Sequence, residues 1–224
     1  MSSPSWSYSG IKKFETCPKQ FYHIKVLKEY EEPPTEATLY GTQFHEAAEF
    51  YIKDGTPLPA PFAFAKPVLD KLNAIEGDKH CEYEMGLTEQ LEPCSFKDPR
   101  VWWRGIADLV VVNHDSGKAK VVDYKTGKSA RYADRGQLEL MALAIFKHFP
   151  LVEQVDAALL FVVSNDFVKA RYTLADAPRL WAKWLTAHAQ MQAAYTNDVW
   201  SPRPSGLCRK HCVVIECPHN GRSN

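Results

Sequence analysis

The stretch Gly105–Gly127, GIADLVVVNHDSGKAKVVDYKTG, decides the fold. Two apolar runs flank His114–Lys118, HDSGK, a turn sequence rich in Asp, Ser and Gly, and so predict two antiparallel strands joined as a hairpin. Each run carries one aspartate among apolar residues, Asp108 in the first and Asp123 in the second. A carboxylate on a buried strand loses its hydration and stays charged only beside a cation. Lys125 lies two positions past Asp123, and strand side chains alternate, so the ammonium and the carboxylate share a face. Two acidic groups on neighbouring strands offer oxygen ligands to Mg²⁺ or Mn²⁺, ions that bridge readily to phosphate. The plainer alternative is an Asp–Lys pair that only satisfies itself.

Upstream, GTQFHEAAEFYIKDG sets Phe44, Ala47, Ala48 and Tyr51 on one helical face, ends at Gly55, and puts His45 on the first turns, where an imidazole serves as ligand or structural residue. Before it, SWSYSGIKKFETCPKQFYHIKVL predicts two short helices meeting near Cys17 and broken by Pro18. Pro57, Pro59 and Pro61 imply irregular chain, and FAKPVLDKLNAIEG a further helix. Strands begin at Cys81 with EYEMGLTEQL and continue through the hairpin. QLELMALAIFKHFP is a helix stopped by Pro150, VDAALLFVVSND a buried strand, and APRLWAKWLTAHAQMQAAYTN a long amphipathic helix. This order gives an α/β (α+β) class, a central mixed β-sheet flanked by helices. One domain, 1–224, is expected, with a helical part over 1–80, a sheet core over 81–195 and a cysteine-rich tail over 196–224.

Hydrophobic residues at 45% and charged residues at 24% exclude wholesale disorder. The 27 basic residues balance 27 acidic ones, so net charge makes no case for a nucleic-acid partner and any such case rests on the site. No apolar run reaches bilayer length and MSSPSWSYSG lacks signal-peptide character, so a cytoplasmic setting with no membrane contact is expected. In that reducing setting the six cysteines do not read as disulfides. Cys208, Cys212 and Cys217 crowd together as C-x3-C-x4-C, with Cys17 a distant fourth, and four thiolates suit a metal centre. Cys81 and Cys94 read as ordinary thiols, and nothing indicates an oligomeric state.

Together, GTQFHEAAEF, GIADLVVV, VVDYKTG and a helix starting at Gln137 resemble the RecB-type branch of the PD-(D/E)XK nuclease superfamily, over most of the chain. The resemblance implies a restriction-endonuclease-like fold and a metal site made by His45, Asp108, Asp123 and the carbonyl of Tyr124. Asp108, Asp123 and Lys125 become the catalytic trio of an Mg²⁺- or Mn²⁺-dependent deoxyribonuclease. The activity implied is an exonuclease on single-stranded DNA or duplex ends, in recombination, repair or phage-type DNA processing, beside other recombination or replication proteins in a bacterial or phage-infected cell. Relatives carry a tyrosine four residues after the glutamine; here Gln137 matches and Met141 stands in the tyrosine position.

Gln137, with Lys128 and Arg131 from KTGKSARYADR, is assigned to DNA contact. Trp102, Trp103 and Tyr132 could stack on bases, but strand aromatics usually build core. Glu82 resembles an acidic residue preceding the strands of relatives, yet Glu84 shares its strand face and Glu82 is left outside the site. Cys17 with Cys208, Cys212 and Cys217 resembles the arrangement of AddB-type and CRISPR-associated nucleases, in which a 4Fe–4S cluster joins the termini. Those relatives space the last three as C-x2-C-x5-C, and His211 and His219 are near enough to replace a thiolate, so Zn²⁺ is the alternative. A non-catalytic nucleic-acid-binding adaptor keeping the nuclease fold is the alternative function, against which the Asp–Asp–Lys trio argues.

Overall fold

A computed structural model describes residues 4–131 and 133–222. The chain divides into two compact units, Thr35–Trp181 and the pair of ends Met1–Pro34 with Ala182–Asn224. Tyr132 lies outside the described residues.

The central unit is built on six strands, β1 (Asp78–Leu87), β2 (Pro93–Cys94), β3 (Trp103–Asn113), β4 (Lys118–Lys125), β5 (Gln154–Phe161) and β6 (Asp166–Thr173), in the order β2-β1-β3-β4-β5-β6. The β3–β4 hairpin forms where the apolar runs place it. Asn113 Oδ1 accepts a 2.9 Å hydrogen bond from Ser116 N, and Gly117 takes a φ of 62° that favours glycine. The β4–β5 pair alone is parallel, which requires a crossover, and α5 (Gly136–His148) supplies it. Leu140–Phe146 of α5 is a continuous buried run, and Trp103 is core.

Helix α3 (Glu36–Asp54) starts before the predicted GTQ, because Thr35 caps it by accepting from Thr38 N and EATLY carries no breaker. His45 therefore sits in the third turn, a correction to its expected place, while Gly55 ends the helix at φ 72° as expected. Phe44, Ala48 and Ile52 recur every four residues and seat on Leu109, Val111, Val122 and Tyr124. Phe62 from the 3-10 helix Ala60–Ala65 and Leu69 and Leu72 from α4 (Lys66–Asn73) complete this core. Each large side chain there contributes about 1.5–3 kcal/mol by burial. His45, one residue past Phe44 and so rotated about 100°, is turned off that apolar stripe.

Two further boundaries differ from expectation. Strand β1 begins at Asp78 rather than Cys81. Strand β6, DFVKARYT, was not read from the sequence: it is an edge strand whose Asp166, Lys169 and Arg171 point polar groups outward, so it has no apolar run to announce it.

In the unit formed by the ends, Ser7 caps α1 (Tyr8–Thr16) and Pro18 opens the short α2 (Pro18–Phe21), followed by a π-helical turn, Tyr22–Val26. The break at Pro18 falls where proline chemistry puts it. Trp200 stacks on Tyr22 at 4.8 Å and meets Tyr195 edge-on at 4.9 Å between ring centroids. Helix α6 (Ala177–Asn197) leads to a proline-rich tail with one 3-10 turn, Gly206–Arg209. No described helix is long and apolar enough to cross a membrane.

Candidate active site

The β3–β4 ladder ends at Leu109↔Val122. Beyond that pair β3 runs on beside β1, and β4 beside β5, so the sheet forks. Asp108 and Asp123 are the first residues past the branch. Asp108 Oδ2 accepts from Tyr124 N at 2.5 Å, replacing the hydrogen bond that the ladder no longer gives.

The opposite neighbour of Asp108 on β1 is Glu82. Cys81↔Leu109 and Tyr83↔Ala107 keep one register, but Glu82 makes no ladder pair and has φ 46°. A non-glycine residue in that region costs of order 1–3 kcal/mol and collects at functional sites. The twist brings the Glu82 carboxylate to the site: His45 Nδ1 lies 3.2 Å from Asp108 Oδ1 and 3.9 Å from Glu82 Oε1. One ligand atom from each of His45, Glu82 and Asp108 lies within 4.8 Å of the others. Sequence reasoning left Glu82 out because regular alternation pairs it with Glu84. The signal was present in its position before the strands, but its backbone departs from regular strand geometry.

The charges are crowded. Burial, then the charge of Asp108, pushes the Glu82 carboxyl up to about 7. Burial and Asp108 likewise raise Asp123 to about 6, against the pull of Lys125. Burial opposes a charged His45, but the hydrogen bond and charge of Asp108, with Asp123 and Glu82, outweigh it and raise the imidazole. His45 Nε2 lies 3.2 Å from the Tyr124 carbonyl, while Nδ1 faces the carboxylates of Asp108 and Glu82.

On the other side of the fork, Lys125 Nζ lies 2.5 Å from Asp123 Oδ2. The contact is a close ion pair with a buried carboxylate. Gln137, at the start of α5, donates from Nε2 to Asp123 Oδ1 at 2.5 Å and accepts from Lys125 Nζ at 3.0 Å. An open cavity of about 760 Å³ reaches the cluster between Ala37, Thr38, Gly41 and Thr42 of α3 and Thr126, Gly127 and Phe161. Gly41 permits the approach of α3 to this wall: a Cβ there would stand 3.3 Å from Thr126 Oγ1.

The donor set fits a hard divalent ion. His45, Glu82 and Asp108 each bring one ligand atom within 4.8 Å of the others, the Tyr124 carbonyl lies beside His45, and Asp123 stands across the fork from Asp108; oxygen donors suit Mg²⁺ and Mn²⁺, and imidazole favours the later metal. His45, Asp108, Asp123, Tyr124 and Lys125 are thus brought together, Glu82 joins them, and Gln137 faces Asp123 and Lys125. Lys128 and Arg131 are exposed on the segment after β4.

In the unit of the chain ends, Cys17, Cys208, Cys212 and Cys217 line one small cavity with Gln20, Val214 and His219. Backbone N–H groups of Arg203 and Ser205 point at Cys17 Sγ and Cys208 Sγ, each at 3.4 Å. Burial, then the other three thiols, raises Cys212. Burial pushes Cys81, packed against the core of the central unit, to about 11, as for an inert thiol.

The family model of the PD-(D/E)XK nuclease superfamily matches residues 5–218. Among solved structures, a candidate exonuclease from Eubacterium rectale superposes with TM-score 0.56 at 14% identity, covering 93% of this chain and 86% of its own. The protein SSO0001 gives TM-score 0.54 at 14% identity, covering 98% and 89%. Likeness at that identity speaks for the fold. No curated protein matches the sequence significantly.

Proposed function

The chain belongs to the PD-(D/E)XK nuclease superfamily, and from that premise we propose that it is a metal-dependent deoxyribonuclease of the RecB type, an exonuclease of DNA recombination, repair or phage-type processing. The observation that carries the reading is the cluster of His45, Glu82 and Asp108 at the strand fork, with the Asp123–Lys125 pair on the adjoining strand. A binding module has no need of three carboxylates crowded where DNA phosphates would approach, since they repel them. The exonuclease reading takes support from the description of the Eubacterium rectale protein.

His45, Glu82, Asp108, Asp123 and the Tyr124 carbonyl are the groups that would hold Mg²⁺ or Mn²⁺. When bound, such an ion lowers the pKa of water and neutralises charge developing on the phosphate. Lys125 supplies a compact positive charge that orients the attacking water or meets the phosphate oxygens. Asp123 holds that ammonium in place. Lys128 and Arg131, exposed on the segment after β4, neutralise backbone phosphates in this reading.

The thiols Cys17, Cys208, Cys212 and Cys217 form an architectural metal centre in this reading, 4Fe–4S in preference to zinc. The preference rests on the resemblance of the one-plus-three arrangement to that of the iron–sulfur nucleases, and the four thiols line one cavity. Iron and sulfide analysis of anaerobically purified protein tests this; stoichiometric zinc overturns it.

The test of the activity is digestion of end-labelled linear and circular DNA, single- and double-stranded, with Mg²⁺, Mn²⁺ or EDTA. Metal-dependent loss of linear DNA, intact circles and an inert Lys125→Ala variant are expected. Binding of DNA without cleavage under either metal favours the adaptor instead.

A further inference from the structure

The two amide atoms of Gln137 face two different members of the site. Nε2 donates to Asp123 Oδ1 at 2.5 Å, Oε1 accepts from Lys125 Nζ at 3.0 Å, and Lys125 Nζ in turn lies 2.5 Å from Asp123 Oδ2. The three side chains form a closed ring in which each touches the other two. An amide offers a donor and an acceptor side by side without charge; a carboxylate lacks the donor and an aliphatic chain lacks both. Lysine is the member most in need of such restraint, because its flexible four-carbon stem has many rotamers to lose. Gln137 is well placed to restrain it, being on the first turn of a helix whose following residues are buried.

From this ring we infer that Gln137 is a positioning residue: it fixes the Lys125 ammonium and the Asp123 carboxylate relative to each other, and does not grip nucleic acid. The inference rests on the nuclease reading of the site and deepens it. Each polar atom of the side chain already bonds a protein group of the site, and any hydrogen bond to substrate would compete with that orientation. Its removal lowers turnover and weakens the metal site through Asp123, leaving DNA affinity alone. Groups that orient metal ligands are worth 10–100-fold in metal affinity or activity.

The experiment compares wild type with Gln137→Leu and, as a second unbranched variant free of both polar atoms, Gln137→Met. Three quantities are measured: kcat on labelled DNA, the DNA dissociation constant in EDTA, and Mn²⁺ affinity of the nucleic-acid-free protein by calorimetry. Both variants are expected to lose tenfold or more in kcat and in Mn²⁺ affinity, with the DNA dissociation constant within twofold of wild type. Weakened DNA binding with kcat unchanged at saturating DNA overturns the inference and returns Gln137 to substrate contact. If wild type cleaves no nucleic acid, the nuclease reading falls, and the Mn²⁺ titration still decides: equal affinity in wild type and both variants overturns the positioning role. Should one variant fail to fold, the other carries the same comparison.

Discussion

Glu82 carries two penalties that its neighbours do not. Its φ of 46° is unfavourable for a side chain with a Cβ, and its carboxylate faces that of Asp108 across the β1–β3 pair. Burial first, and then the charge of Asp108, raises its carboxyl to about 7 from an ordinary 4.5. A carboxyl raised on folding contributes stability below its unfolded pKa, and that contribution is lost as pH rises through the folded value. The metal-free protein therefore loses stability between about pH 4.5 and 7. A full shift of that size amounts to roughly 3 kcal/mol; because the side chain is 35% exposed, solvent screening reduces it to about 1–2 kcal/mol. Glu82→Gln removes the titration, so in EDTA at pH 8 the variant is expected to be more stable than wild type by about that amount in urea melts. At pH 5 the two should coincide. Added Mn²⁺ should stabilise wild type more than the variant. A variant less stable at pH 8 would show that the carboxylate is not under repulsion in the fold.

At the scale of strands, the fork between β3 and β4 makes the site, and one side-chain hydrogen bond spans its crotch. Asp108→Ala leaves the Tyr124 N–H buried without its acceptor, a loss of about 1–3 kcal/mol. Asp108→Asn keeps a carbonyl oxygen for that N–H and removes a charge facing Glu82 and Asp123. Both variants are expected to be inactive; in EDTA at pH 8, Asn should match or exceed wild type in stability and Ala should fall below it. Equal stabilities for Ala and Asn would mean that the hydrogen bond does not hold the fork. The hairpin itself was legible because its signals are local: two apolar runs, an Asp–Ser–Gly turn, an aspartate in each run. The place where the ladder stops was not, since it depends on what His45 and Glu82 bring from other elements. The start of α3 was missed for a local reason, the Thr35 cap being passed over for Gly41, and β6 because an edge strand needs no apolar run. Gln137 was legible as a member of the site through resemblance, but only the distances show it turned toward Asp123 and Lys125.

For the molecule as a whole, the consequential arrangement is that Cys17 comes from the first segment while Cys208, Cys212 and Cys217 come from the last. The density of cysteines in the tail was legible in sequence; its meeting with Cys17 was an implication of resemblance, because no local pattern links residues so far apart. The proposed metal centre on these thiols would close a loop of about 190 residues, and a link of that length restricts the unfolded chain by about 5 kcal/mol in the chain-entropy model. That restraint acts only while the centre is loaded, since metal binding and folding free energy are then one quantity. Cys17→Ser is accordingly expected to lower the stability of anaerobically purified protein by several kcal/mol, together with loss of bound iron. Cys94→Ser, whose thiol lies outside that cavity, should do neither. The discriminating comparison repeats the melts after complete chelation: wild type should fall to the level of Cys17→Ser, which itself should hardly move. A Cys17→Ser deficit that survives chelation would instead trace the loss to the packing of the thiol in its cavity, and the ends would owe their order to packing, including that around Trp200, rather than to a metal.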